Sequence, residues 1–153
     1  MPRARTAALP YENATTGKRA LAEMEKILRD VGASKFAHAE DFDGGDITVA
    51  FVVHKQPISL KVSARGYAAA WLKRHPYTWR MRITEVEHAR RALALGRVAT
   101  WSILRDWLKA QVAAIEAGLL TWDEAFLAQT VLPGGETVMQ RVKATQMLRI
   151  GRE

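Results

Sequence analysis

Between Thr84 and Ala117 no proline interrupts the chain, and Val98, Trp101, Leu104, Leu108, Val112 and Ile115 recur at the spacing that gathers them on one side of an α-helix. Gly118 follows, where a residue in the left-handed region closes such a helix. At 1.5 Å per residue the segment would run about 50 Å. No neighbour in a chain of this size can cover that length alone, so the helix has to be the central packing element and the rest of the chain must lie along it.

Upstream, the period changes twice. From Thr16, the residues Ala20, Leu21, Met24, Ile27, Leu28 and Val31 keep helical spacing, Thr15 or Thr16 can cap the first amides, and Gly32 suits the position after the last turn. The period then falls to two. Ile47, Val49, Phe51 and Val53 alternate with Asp46, Thr48, Ala50 and Val52, and Ile58, Leu60 and Val62 alternate with Ser59, Lys61 and Ser63. These read as two strands joined by a loop of His54, Lys55, Gln56 and Pro57, an antiparallel hairpin, with Lys35 to Ala39 as a shorter third strand. Helical spacing returns over Ala64 to Arg74 with Ala64, Tyr67, Ala68, Trp71 and Leu72, and Pro76 forces the chain out into a connector over His75 to Ile83.

Beyond the long helix, Thr121 and Glu124 form a capping-box pattern for a short helix over Trp122 to Ala128. Val131 to Gly135 reads as a turn, and Glu136 to Ile150 as a final helix or fraying tail. The expected fold is therefore α+β: an N-terminal helix, a small antiparallel sheet of two or three strands, then a mainly helical C-terminal half built on one long helix. Residues 1–13 read as an arm, with Leu9, Pro10 and Tyr11 pinned to the body, and residues 14–153 as a single domain without repeats or linkers.

Composition narrows the function classes. A hydrophobic share of 48% and a charged share of 25% are ordinary globular usage. The absence of cysteine removes disulfides, thiolate metal sites and cysteine nucleophiles. Neither a signal-peptide pattern nor a membrane-length apolar run occurs, so a cytoplasmic location is expected, and no membrane partner. The net charge of +7 favours an anionic partner, and its distribution is uneven. Lys73, Arg74, Arg80, Arg82, Arg90, Arg91 and Arg97 face only Glu85 and Glu87 in the 73–97 window, which carries +5 of the +7.

That window holds the strongest functional candidate, the connector Lys73-Arg74-His75-Pro76-Tyr77-Thr78-Trp79-Arg80-Met81-Arg82. Arginine and lysine neutralise phosphates, and an exposed tryptophan or tyrosine can stack on an unpaired base for about 1–3 kcal/mol. The candidate nucleic-acid-binding residues are Arg65, Lys73, Arg74, Tyr77, Trp79, Arg80, Arg82, Arg90 and Arg91. The competing reading makes the same stretch a solvated helix end in which Tyr77 and Trp79 fill the core. On the long helix, Arg90 and Arg97 stand one heptad apart and within about 20°, enough for a basic patch but not for a continuous basic stripe.

Other chemistries fail on spacing or residue type. Glu40, Asp41, Asp43 and Asp46 crowd Gly44-Gly45, but counting from Asp41 puts Asp46 and Val52 where a calcium loop needs glycine and glutamate. The group reads as a structural turn. Asp46 and Lys61 suggest a magnesium nuclease, yet Ser59 stands where the acidic partner of Lys61 should be. Thr15-Thr16-Gly17-Lys18-Arg19 lacks the upstream glycine and following hydroxyl of a phosphate-binding loop. His38, His54, His75 and His88 have no metal-ligand spacing, and no serine sits in a nucleophile elbow. No catalytic residue, metal or cofactor is expected.

The segments Leu-Pro-Tyr-Glu-Asn-Ala (9–14), Ser-Leu-Lys-Val-Ser-Ala-Arg-Gly-Tyr-Ala-Ala-Ala-Trp-Leu-Lys-Arg-His-Pro-Tyr (59–77) and Ser-Ile-Leu-Arg-Asp-Trp-Leu-Lys (102–109) resemble a family of small, uncharacterised proteins encoded by tailed bacteriophages and prophages. The resemblance implies a phage setting in a bacterial host cytoplasm and assigns no residue a role. The expectation is a non-enzymatic accessory protein that binds nucleic acid, DNA ahead of RNA, through the 65–91 region. Nothing resembles a helix-turn-helix reader, so binding should be sequence-neutral or single-stranded. The alternative is a protein-binding module, either a phage replication or assembly component or an inhibitor of a host defence protein. A homo-oligomer joined through the long helix is a third reading.

Overall fold

A computed structural model describes residues 8–145. Their order is helix α1 (Gly17–Asp30), strands β1 (Lys35–Glu40), β2 (Asp46–Val53) and β3 (Gln56–Ser63), then helices α2 (Arg65–Arg74), α3 (Glu85–Glu116), α4 (Trp122–Phe126) and α5 (Val138–Ala144). The α+β architecture and the long helix agree with the sequence reading. Within the expected span 136–150, residues 146–150 lie outside the described residues, as do residues 1–7 of the arm.

The sheet is an antiparallel meander, β1-β2-β3, with Phe36 opposite Phe51 and Val49 opposite Leu60. Alternation along β2 sends Ile47, Val49, Phe51 and Val53 inward, where they meet Met24 and Leu28 of α1 and Trp101, Leu104 and Leu108 of α3. The hairpin between β2 and β3 is tighter than the four-residue loop expected. His54 and Lys55 alone form the turn, with φ of 51° and 63°, and Gln56 and Pro57 already pair with β2. Two left-handed residues match the right-handed twist of the strands, and side-chain-bearing residues adopt them here at about 1–2 kcal/mol each. The His54 ring meets Trp122 edge-on at 5.5 Å, which ties the turn to α4.

Helices α2 and α3 approach closely because small residues line their contact. Ala64, Ala68, Ala92 and Ala99 are buried there, and a Cβ at Gly96 would come within 3.0 Å of the Ala64 carbonyl oxygen. Three helices start with full capping boxes: Thr84 with Glu87, Thr121 with Glu124, and Thr137 with Gln140. At α1, Thr16 takes the cap position in extended backbone, but its hydroxyl makes no capping bond. Gly118, at φ 74°, closes α3.

Candidate nucleic-acid interface

The corner between α2 and α3 is built around one buried imidazole. The His75 carbonyl can only accept, so the His88 Nε2 that lies 2.6 Å from it donates. The His88 ring sits 5.4 Å from Trp71 and 6.0 Å from Tyr77, while the His75 ring stacks on Trp71 at 4.3 Å. The Tyr77 hydroxyl donates to the Ile83 carbonyl at 3.0 Å, and the Met81 amide to Thr78 at 3.1 Å. Residues 75–84, which belong to no helix, are thus pinned at both ends.

This arrangement divides the two aromatic candidates. Tyr77 is half-buried with its hydroxyl engaged, so it serves the packing of the connector. Trp79 is 81% exposed, and the Arg80 guanidinium lies 5.3 Å from its ring centroid. Around it, Lys73 and Arg74 end α2, Arg80 and Arg82 lie on the connector, and Arg90 and Arg91 stand on the early turns of α3. All six cations are exposed. Among the described residues none of them forms a salt bridge.

Arg65 stands apart from this group. It opens α2, nine residues and about 14 Å along the axis from Arg74. Its Nε donates to the Gly44 carbonyl at 2.5 Å, bracing the turn between β1 and β2. That acidic turn is structural. Asp41 Oδ1 accepts the amides of Asp43 at 3.0 Å and Gly44 at 2.9 Å, bonds that hold its carboxyl below the usual aspartate range. Arg97 is likewise engaged, its Nε 2.6 Å from Glu40 Oε1 and its guanidinium 4.6 Å from the Phe42 centroid. The basic patch on α3 therefore rests on Arg90 and Arg91. Phe42, 66% exposed, did not figure among the candidates, although an aromatic residue inside an acidic glycine turn is itself a signal.

The arm is fastened to the body as anticipated for Pro10 and Tyr11. Tyr67 donates to the Pro10 carbonyl at 2.6 Å and Tyr11 to Asp106 Oδ2 at 2.6 Å. Glu12 Oε1 lies 3.6 Å from His75 Nε2, an ion pair in the imidazolium form. Asp106 also accepts from Arg105 Nε at 2.9 Å. Arg105 first and Tyr11 second hold its carboxyl below the usual range, and the same carboxylate pushes the Tyr11 hydroxyl up.

A cleft of about 570 Å³ opens between the arm, the start of α1 and the middle of α3. Its arginines are already answered by carboxylates, Arg19 to Glu23 at 3.1 Å and Arg105 to Glu23 at 3.5 Å. Among the described residues no group of three or more His, Asp or Glu side chains is placed to hold a metal ion, and no helix is long and apolar enough to cross a membrane. No family model, curated protein or solved structure is similar to the chain.

Proposed function

We propose that this chain is a non-enzymatic, phage-encoded accessory protein that binds nucleic acid at the corner between α2 and α3, DNA ahead of RNA. The observation that carries the reading is an 81% exposed tryptophan held on a pinned connector among cations that form no salt bridge among the described residues. Folding normally draws tryptophan inward, and here the surrounding hydrogen bonds fix the connector with Trp79 outside. An indole backed by a guanidinium is suited to stack on an unpaired base, while Lys73, Arg74, Arg82, Arg90 and Arg91 neutralise phosphates. Because stacking tolerates any base, binding is sequence-neutral and prefers single strands. The phage setting rests on the resemblance carried by residues 9–14, 59–77 and 102–109.

The test is fluorescence anisotropy of labelled single-stranded and duplex oligonucleotides from low to moderate salt. Affinity for single strands should fall linearly on a log–log plot against salt, with a slope of about −0.7 per phosphate neutralised. The Arg80→Ala, Arg82→Ala double variant should flatten that slope by about 0.7, the share of Arg82, and weaken binding further by removing the guanidinium behind Trp79. Absence of binding at low salt would remove the reading.

A second reading, the protein-binding module, draws on a different place. Leu127 is 56% exposed beside a groove of about 420 Å³ lined by Ala128, Val138, Met139 and Val142. An apolar partner seated there would bind with little dependence on salt.

A further inference from the structure

Two exposed aromatic rings of this molecule are each backed by a guanidinium. One is Trp79 with Arg80. The other is Phe42, 66% exposed, with the Arg97 guanidinium 4.6 Å from its centroid. Of the two arginines, one precedes α3 and the other stands in its first half. Arg80 lies on the segment leading into the helix, and Arg97 lies twelve residues beyond its first residue, Glu85, about 18 Å along the axis. Between them stands Arg90, exposed and within about 20° of the Arg97 direction.

We infer that Phe42 is a second stacking platform for the same nucleic-acid strand, which runs from Trp79 past Arg90 to Phe42. The inference rests on the binding reading above and adds to it a length and a direction. Arg97 supplies no net charge on this path, since Glu40 answers it, so what Phe42 offers is its ring. The turn that carries the ring is braced. Asp41 caps its turn, Arg65 braces the Gly44 carbonyl, and a Cβ at Gly45 would collide with the Leu93 side chain of α3. A platform already ordered in the free protein loses little conformational entropy on binding. Two separate rings can be used together by a single strand whose bases splay outward, whereas a duplex keeps its bases stacked on each other. The local charges set a further condition. Asp41 and Asp43 flank Phe42, both exposed, and the Asp41 carboxylate, kept ionised by the amides of Gly44 and Asp43, repels a passing phosphate as Asp43 does.

The experiment is anisotropy with labelled oligothymidines of about 4, about 8 and about 16 nucleotides, a range that brackets known single-strand site sizes. Phe42→Ala should leave affinity for the shortest probe unchanged and lower that for the longest by about 5- to 140-fold, the loss of one stacked base. Phe42→Tyr should bind every probe as the parent does, and Asp43→Asn should tighten the longest. Trp79→Ala should weaken all lengths. Equal affinity of Phe42→Ala and the parent for the longest probe would overturn the second platform and leave the connector reading intact. A loss spread evenly over all lengths would overturn it too, because Phe42 would then be acting on the whole site. Failure of the parent protein to bind any probe would remove the connector reading itself, and the inference with it.

Discussion

The two ends of α3 use aromatic residues in opposite ways. Toward the C-terminal end, Trp107 and Trp122 meet Phe126 at 5.7 and 5.3 Å, and Phe51 of the sheet meets the same ring at 5.7 Å. Phe126 is only 1% exposed, so these rings close the core over the hairpin. Toward the N-terminal end, Trp71, His75 and Tyr77 gather around His88, and Trp79 is left outside among arginines. Aromatic content alone therefore says little about role. What decides it is whether a ring is itself tied to the chain, as Tyr77 is through its hydroxyl to the Ile83 carbonyl, or stands out from a connector fixed on either side of it, as Trp79 does.

Truncating one ring at each end should break the symmetry of composition most clearly. Phe126→Ala should cost about 3–5 kcal/mol in denaturant unfolding, since it empties the contact of three other rings. Trp79→Ala should change stability by no more than about 0.5 kcal/mol, the range of surface substitutions, while weakening oligonucleotide binding. A large stability loss from Trp79→Ala would mean that the indole packs in solution and would cancel the contrast. Next in size comes His88→Ala, which leaves the His75 carbonyl without its donor and the Trp71 and Tyr77 rings without their shared neighbour. It should destabilise by about 1–3 kcal/mol. If the connector owes its order to His88, the variant should also lose oligonucleotide affinity, although His88 itself is buried at 5% exposure.

Thr84→Ala tests the same end more gently. The Thr84 hydroxyl accepts from the Glu87 amide at 3.2 Å, and the Glu87 carboxylate accepts from the Thr84 amide at 3.4 Å. Removing the hydroxyl should cost about 1 kcal/mol, read as a lower melting temperature. The equivalent change at Thr121, which starts the helix under Phe126, should cost a similar amount without touching binding.

How far the sequence disclosed this layout depended on the range of each interaction. The α3 stripe, the alternation along β2 and the Thr121 capping box are local periodic patterns, and each appears where the spacing placed it. The His54-Lys55 turn is shorter than the sequence suggests because neither residue is the glycine or asparagine that normally marks left-handed backbone. The irregular apolar spacing of α5 fits a helix or a tail equally, although Thr137 and Gln140 spell a capping box as clearly as Thr121 and Glu124 do. The candidate interface was legible as a charge cluster but not as a surface. That Arg65 belongs to the Gly44 turn, that Arg97 faces Glu40, and that Phe42 stands open beside it depend on contacts 21 and 57 residues apart in the chain.

The smallest effect concerns the arm, which touches α2 and the middle of α3 and so lies between the two ends being compared. Asp106, with its folded-state pKa lowered, contributes stability that is present above the ordinary aspartate range and is lost as pH falls through the lowered value. Tyr11, with its pKa raised, contributes stability present below about pH 10 and lost as pH rises through its raised value. Both groups are near solvent, so after discounting for screening each limb should amount to less than about 1 kcal/mol. Tyr11→Phe removes the alkaline limb and, by taking one donor from Asp106, should move the acid limb upward in pH, measured as melting temperature across a pH series. At neutral pH the same variant should bind oligonucleotides as the parent does, because neither Tyr11 nor Asp106 belongs to the basic corner. A fall in affinity would mean that the arm helps to position the connector, through Glu12 beside His75, and that the exposed end of α3 is not independent of the segment packed along it.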